Sequence, residues 1–176
     1  MLMALKFNDE FYQVVPIRKK CGTSVVWKTT DGESVFKKII RYDEHDLFKR
    51  EMYMLKFLQD KVDWSPKLIS YDEERKIIQM SYCGESFNFE TCTDRNILKQ
   101  IRNIIEDMNR LKFKHNDIKN NQELLLKDGK VYLCDFGWAS INDDHSCEQG
   151  LWNGQKNFFK ADAYILGNDA EYTSAL

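Results

Sequence analysis

Between residues 12 and 40 apolar and polar positions alternate in three short runs, Val14-Val15-Pro16-Ile17, Ser24-Val25-Val26-Trp27 and Ser34-Val35-Phe36-Lys37-Lys38-Ile39-Ile40. An Asp31-Gly32 turn signal precedes the third run, and the pattern predicts three antiparallel strands. From 43 to 61 the period changes. Phe48, Met52, Leu55 and Leu58 recur at four- and three-residue spacing, which predicts an amphipathic helix. Residues 67–72 (KLISYD) and 76–82 (KIIQMSY) supply two further strands. The first part of the chain thus reads β-β-β-α-β-β, a five-stranded antiparallel sheet with one helix.

After Gly84 the character of the chain shifts. Ile97, Ile101, Ile104, Ile105, Met108 and Leu111 fall along one face of residues 94–113 and predict a long, half-buried helix. The stretch 83–93, CGESFNFETCT, reads as a hinge between a strand-rich first lobe and a helical second one, and ligands favour such inter-lobe clefts. Beyond the helix, Glu123-Leu124-Leu125-Leu126, then Lys127-Asp128-Gly129-Lys130, then Val131-Tyr132-Leu133-Cys134 reads as strand, turn, strand. That hairpin brings Asp117 and Asp135, eighteen positions apart, to one edge.

Composition narrows the classes. The 176 residues suffice for one sizeable core or two small lobes, not two large domains. A net charge of -2 supplies no global basic field, so nucleic-acid binding by phosphate neutralisation is not expected. The five cysteines are odd in number and never spaced CxxC, which favours neither a disulfide framework nor a zinc site and fits a reducing interior. No stretch approaches the roughly 18 to 20 apolar residues of a membrane span, so a soluble, unsecreted, cytoplasmic protein without a membrane partner is expected.

With VVWK, SVFKKI, KREMYMLKFL, HNDIK, DFGWA and DAYILG in this order, the chain resembles the eukaryotic-type protein kinase family, serine/threonine members most. The resemblance runs from about Val14 to Gly167, with its last part compressed. It implies an α+β, bilobal fold: a first lobe over 1–82, a hinge and linker over 83–93, and a small, mainly helical, truncated second lobe over 94–176. A composition rich in Lys, Asn and Ile suits an AT-rich genome, and compact kinases of this kind occur in large DNA viruses as well as cells; a viral kinase would work in the host cytoplasm.

The resemblance also assigns roles to residues. Lys37 matches the strand lysine that pairs the α and β phosphates of ATP, and Glu51 the helix glutamate that orients it, with Glu44 as the alternative. Val26 and Val35 would lie above the adenine and Leu124 below it, with Met80 at the gatekeeper position and Ser81, Tyr82 and Cys83 along the hinge. Asp117 matches the catalytic base, Lys119 the partner of the γ-phosphate, and Asp135 the holder of Mg²⁺. His115 matches the loop histidine, whose part is packing and hydrogen bonding. Asp162 matches the aspartate that caps the catalytic loop from beneath.

Departures from the family pattern matter as much. The phosphate loop keeps Gly22 but lacks GxGxxG, so close backbone approach to phosphate is weakened. Gln122 stands where the family has its second metal ligand, an asparagine; the extra methylene displaces the carbonyl from a cation that demands near-octahedral geometry. Asn116 replaces the arginine that reads an activation-loop phosphate, so phosphate-dependent switching is not expected. Only twenty-six residues separate Asp135 from Asp162, and nine follow Gly167, a short platform for a protein substrate.

Three functions compete. The first is ATP- and Mg²⁺-dependent transfer to a serine or threonine hydroxyl of a protein. The second is a weak or inactive pseudokinase that binds or regulates a partner protein, or pairs with its own copy through the shortened lobe. The third is a small-molecule kinase of related fold, against which Lys119 and Asp-Phe-Gly speak.

Overall fold

Asn8 and Asp9 both adopt positive φ, 47° and 65°, and close a two-residue loop between Phe7 and Glu10. Asn and Asp tolerate that region, and such a loop matches the right-handed twist of a hairpin. The loop joins β1 (Met3–Phe7) to β2 (Glu10–Cys21), and the sheet continues through β3 (Ser24–Thr29), β4 (Ser34–Ile39), β5 (Leu68–Asp72) and β6 (Ile77–Ser81). This is a computed structural model, and it describes residues 1–21, 23–40, 46–118 and 122–141.

The architecture is mixed α/β, with a curled antiparallel sheet and two α-helices among the described residues. Strand order is β1-β2-β3-β4-β6-β5, six strands where the pattern predicts five; β1 is the addition. Sheet edges left open invite pairing with other chains. Here the edges curl toward each other: Asn8 Nδ2 donates to Ser70 Oγ of β5 at 2.7 Å, and Arg75 donates to Lys6 O of β1 at 2.8 Å.

The chain divides into two compact units, Met1–Asp60 with Pro66–Tyr82, and Lys61–Ser65 with the residues from Cys83 onward. In the first, Phe7, Val14, Phe36 and Ile77 form a buried cluster on one face of the sheet, flanked by Leu5, Tyr12 and Trp27. The Phe36 ring meets Phe7 and Tyr12 edge-on at 5.1 and 4.9 Å. Fully burying a side chain of this size stabilises by roughly 1.5–3 kcal/mol. Lys37, the next residue along β4, points to the opposite face. There it meets α1 (Leu47–Leu58), which Asp46 caps by accepting from Lys49 N and which buries Phe48, Met52, Leu55 and Leu58, the stripe expected of it.

The second unit holds α2 (Arg95–Arg110), capped by Asp94, and short strands β7 (Glu85–Ser86), β8 (Phe113–Lys114), β9 (Leu124–Lys127), β10 (Lys130–Leu133) and β11 (Ser140–Ile141). The mainly helical lobe implied by the resemblance is thus, among the described residues, one α-helix beside two small sheets. Asp128 and Gly129 have φ of 50° and 77°, so the β9–β10 turn is the Asp-Gly turn the sequence announces. Gln100 of α2 clamps that hairpin, donating to Gly129 O at 2.8 Å and accepting from Val131 N at 2.9 Å.

Within the stretch read as hinge and linker, Glu85–Ser86 pairs with β9 as a short strand. Gly84 allows it. At φ 96° its Cα lies so close to β9 that an added Cβ would collide with Leu126 O, which only glycine avoids. Lys61–Ser65 joins this unit through Trp64, whose ring donates to Asp107 Oδ2 at 2.9 Å and whose carbonyl accepts from Leu133 N at 2.9 Å. No helix among the described residues is long and apolar enough to cross a membrane.

Candidate active site

Two groups of charged side chains stand out, one in each unit. In the first, Lys37 Nζ donates to Glu51 Oε2 at 2.6 Å, with the two side chains 9% and 1% exposed. Strand alternation aims Lys37 at the helix, and helix period places Glu51 on the same face as Met52, Leu55 and Leu58. A buried pair of this geometry holds both charges only while both are present; losing one leaves the other stranded at low dielectric. Glu44, the alternative partner, lies outside the described residues.

Of the apolar residues assigned to a base, Val26, Val35 and Met80 lie on the sheet that carries Lys37. Val26 is the cross-strand neighbour of Lys37, and Val35 of Met80. Val35 and Met80 are buried and Val26 half-buried. Beyond them, the amides of Ser81 and Tyr82 donate to Lys67 O and Glu33 O, at 2.9 and 3.0 Å. Those two N–H groups are thus engaged within the first unit. Lys28 stacks its ammonium over the Tyr82 ring at 4.6 Å.

In the second unit the carboxylates of Asp117, Glu123 and Asp135 converge, with an oxygen from each within 4.8 Å of the others. Asp117 and Glu123 are buried, Asp135 half-buried. The β9–β10 hairpin does what the pattern predicts and returns the chain from Asp117 to Asp135. Glu123 is the member that sequence reasoning missed, because a glutamate opening a strand reads as a solvated edge. Three carboxylates at this spacing repel when ionised, and a hard divalent cation bound by oxygen ligands relieves them. Gln122, the expected ligand, is a half-buried turn residue immediately before Glu123.

His115 ties the two aspartate segments together. Its Nδ1 accepts from Asp117 N at 3.2 Å, which puts the ring proton on Nε2, and Nε2 donates to Cys134 O at 2.8 Å. The ring is fully buried beside Phe136, which in turn meets Phe113 edge-on at 5.7 Å. Asp135 itself has φ 69°, a conformation that costs an L residue free energy and recurs at functional sites. Leu124 and Cys83 are buried in this unit. Gly22, Lys119 and Asp162, with the segment to Gly167, lie outside the described residues.

Comparison with known proteins adds a distant kinase. Over 106 residues, 60% of this chain, the sequence is 23% identical to serine/threonine-protein kinase 1 of Heliothis zea nuclear polyhedrosis virus. The chain spans about two fifths of that relative's length, the match covering 40% of it. No protein-family model matches. The likeness is kinase-like in kind and too distant to assign membership.

Proposed function

We propose that the chain transfers the γ-phosphoryl group of ATP, with Mg²⁺, to a serine or threonine hydroxyl of a protein. The observation that carries this reading is the convergence of Asp117 and Asp135, in a sequence context resembling that of kinases, in a chain that also buries a Lys37–Glu51 pair. The similarity to a viral serine/threonine kinase supports it.

The clustered carboxylates suit the cation the reaction needs. Clustered carboxylate oxygens are the ligands Mg²⁺ prefers, so Asp135 is the proposed metal holder, with Gln122 or the adjoining Glu123 available beside it. The bound ion would neutralise phosphate charge during transfer. Lys37 binds the α and β phosphates, held extended by Glu51. Asp117 accepts the proton of the attacking hydroxyl, and its N–H bond to His115 fixes where the loop presents it. Lys119 pairs with the γ-phosphate. Val26, Val35 and Met80 supply apolar contact to the base.

Nucleotide binding and turnover, each with and without Mg²⁺, test this in wild type, Asp135→Ala and Gln122→Asn. Wild type should bind ATP more tightly with Mg²⁺, Asp135→Ala should lose that gain, and Gln122→Asn should turn over faster. Binding that ignores both Mg²⁺ and Asp135 would contradict the reading and favour a non-catalytic protein that acts by binding a partner.

A further inference from the structure

The position that carries arginine in many kinases is Asn116 here, and its side chain is committed to a specific pair of bonds. The residue is buried, 1% exposed, and adopts φ 66°, where asparagine is among the few side chains tolerated. Its Nδ2 donates to Trp138 O at 3.0 Å and to Ser140 Oγ at 3.1 Å. Those acceptors lie three and five residues beyond Asp135. His115, the preceding residue, grips Cys134 O on the other side. Two adjacent loop residues therefore bracket Asp135-Phe136-Gly137 from both ends.

The same contact continues outward. Lys114 pairs with Ser140 and Phe113 with Ile141 in the β8–β11 ladder, and Ala139 N closes a turn onto Phe136 O at 3.1 Å. Each of these links is a bond between uncharged groups. Buried amide bonds hold geometry well, because breaking one strands a donor away from water.

We propose that Asn116 is a positioning residue for Asp135: it clamps the segment after the aspartate through Trp138 and Ser140, and so sets where the metal-holding carboxylate lies. The inference rests on the phosphotransfer reading. It concerns how Asp135 is held, not which groups react.

Two variants test it. Asn116→Gly removes the clamp and relieves the positive φ, while Asn116→Asp keeps the shape but replaces the donor with a carboxylate facing the Trp138 carbonyl. Amide hydrogen exchange without ligand should accelerate at least tenfold over residues 134–141 in both variants and stay within twofold over α1 and β2–β4. The Mg²⁺ concentration giving half-maximal ATP binding should rise about tenfold, and Ser140→Ala, which removes one acceptor only, should give a smaller rise. Unchanged exchange over 134–141 would overturn the clamp. Faster exchange throughout the chain with an unchanged Mg²⁺ requirement would show a merely structural residue and overturn it as well. Wild type that binds no Mg²⁺-ATP would instead overturn the phosphotransfer reading, and the inference with it.

Discussion

The two charged groups of this chain are built on opposite principles. In the first unit a cation and an anion are buried together, Lys37 against Glu51 at 2.6 Å, and each is the other's solvent. In the second, three carboxyl groups are drawn together, an oxygen of each within 4.8 Å of the others. The first arrangement is complete as it stands and resists removal of either member. The second is of the kind that gains from a cation. A folded chain that keeps both kinds has one group suited to being a fixed part of the scaffold and one suited to taking up a ligand.

The sharpest way to break this contrast is to remove Lys37. Lys37→Ala should destabilise by about 3–5 kcal/mol in urea unfolding, since Glu51 is left buried and uncompensated. The double variant Lys37→Met with Glu51→Leu should recover most of that loss; a single variant as stable as wild type would show that the pair is not buried as described. Next in size is a change of backbone rather than charge in the second unit. Gly84→Ala should cost about 2–3 kcal/mol, because the new Cβ must displace Leu126 O or abandon φ 96°.

Glu123→Gln should behave in the opposite sense to Lys37→Ala. Without divalent cations its stability should lie within about 1 kcal/mol of wild type or above it, because one of three like charges is gone. The increase in melting temperature that Mg²⁺ gives wild type should shrink. A large loss of stability without Mg²⁺ would mean that Glu123 is held as firmly as Glu51, and the contrast would fail.

The smallest effect expected is at the surface. The Arg75 backbone N–H and then its guanidinium hold the Asp72 carboxyl below its usual range. A carboxyl with a depressed value in the folded chain stabilises above its ordinary titration near 3.8, and that contribution fades as the pH falls through the lowered value. Asp72→Asn should therefore cost less than about 1 kcal/mol at neutral pH and nothing in strong acid, read from unfolding across pH 2–7.

How far such features could be read beforehand depended on whether their cause was local. Strand and helix periods fix only the face on which Lys37 and Glu51 each lie; their pairing is what the resemblance implies, with Glu44 as the alternative. The β9–β10 turn is announced by Asp128-Gly129. β1 was equally local but overlooked: Leu5 and Phe7 alternate with Lys6, and Asn8-Asp9 is a turn pair, yet a five-residue strand at the start of a chain resembles a tail. Glu123 is a different matter. Its burial is created by the return of Asp135 over the hairpin and by the loop carrying Asp117, contacts with no periodic signature. In sequence Asn116 is simply the absence of an arginine, because its partners Trp138 and Ser140 are more than twenty residues away.

Phosphoryl transfer is tested most directly by incubating the protein with γ-labelled ATP, Mg²⁺ and serine- and threonine-containing protein substrates, beside Asp117→Asn. Label should enter serine or threonine, require Mg²⁺, and fall about a hundredfold or more when Asp117 can no longer take the proton. Incorporation by the variant equal to wild type, or none by wild type at all, would contradict the assignment.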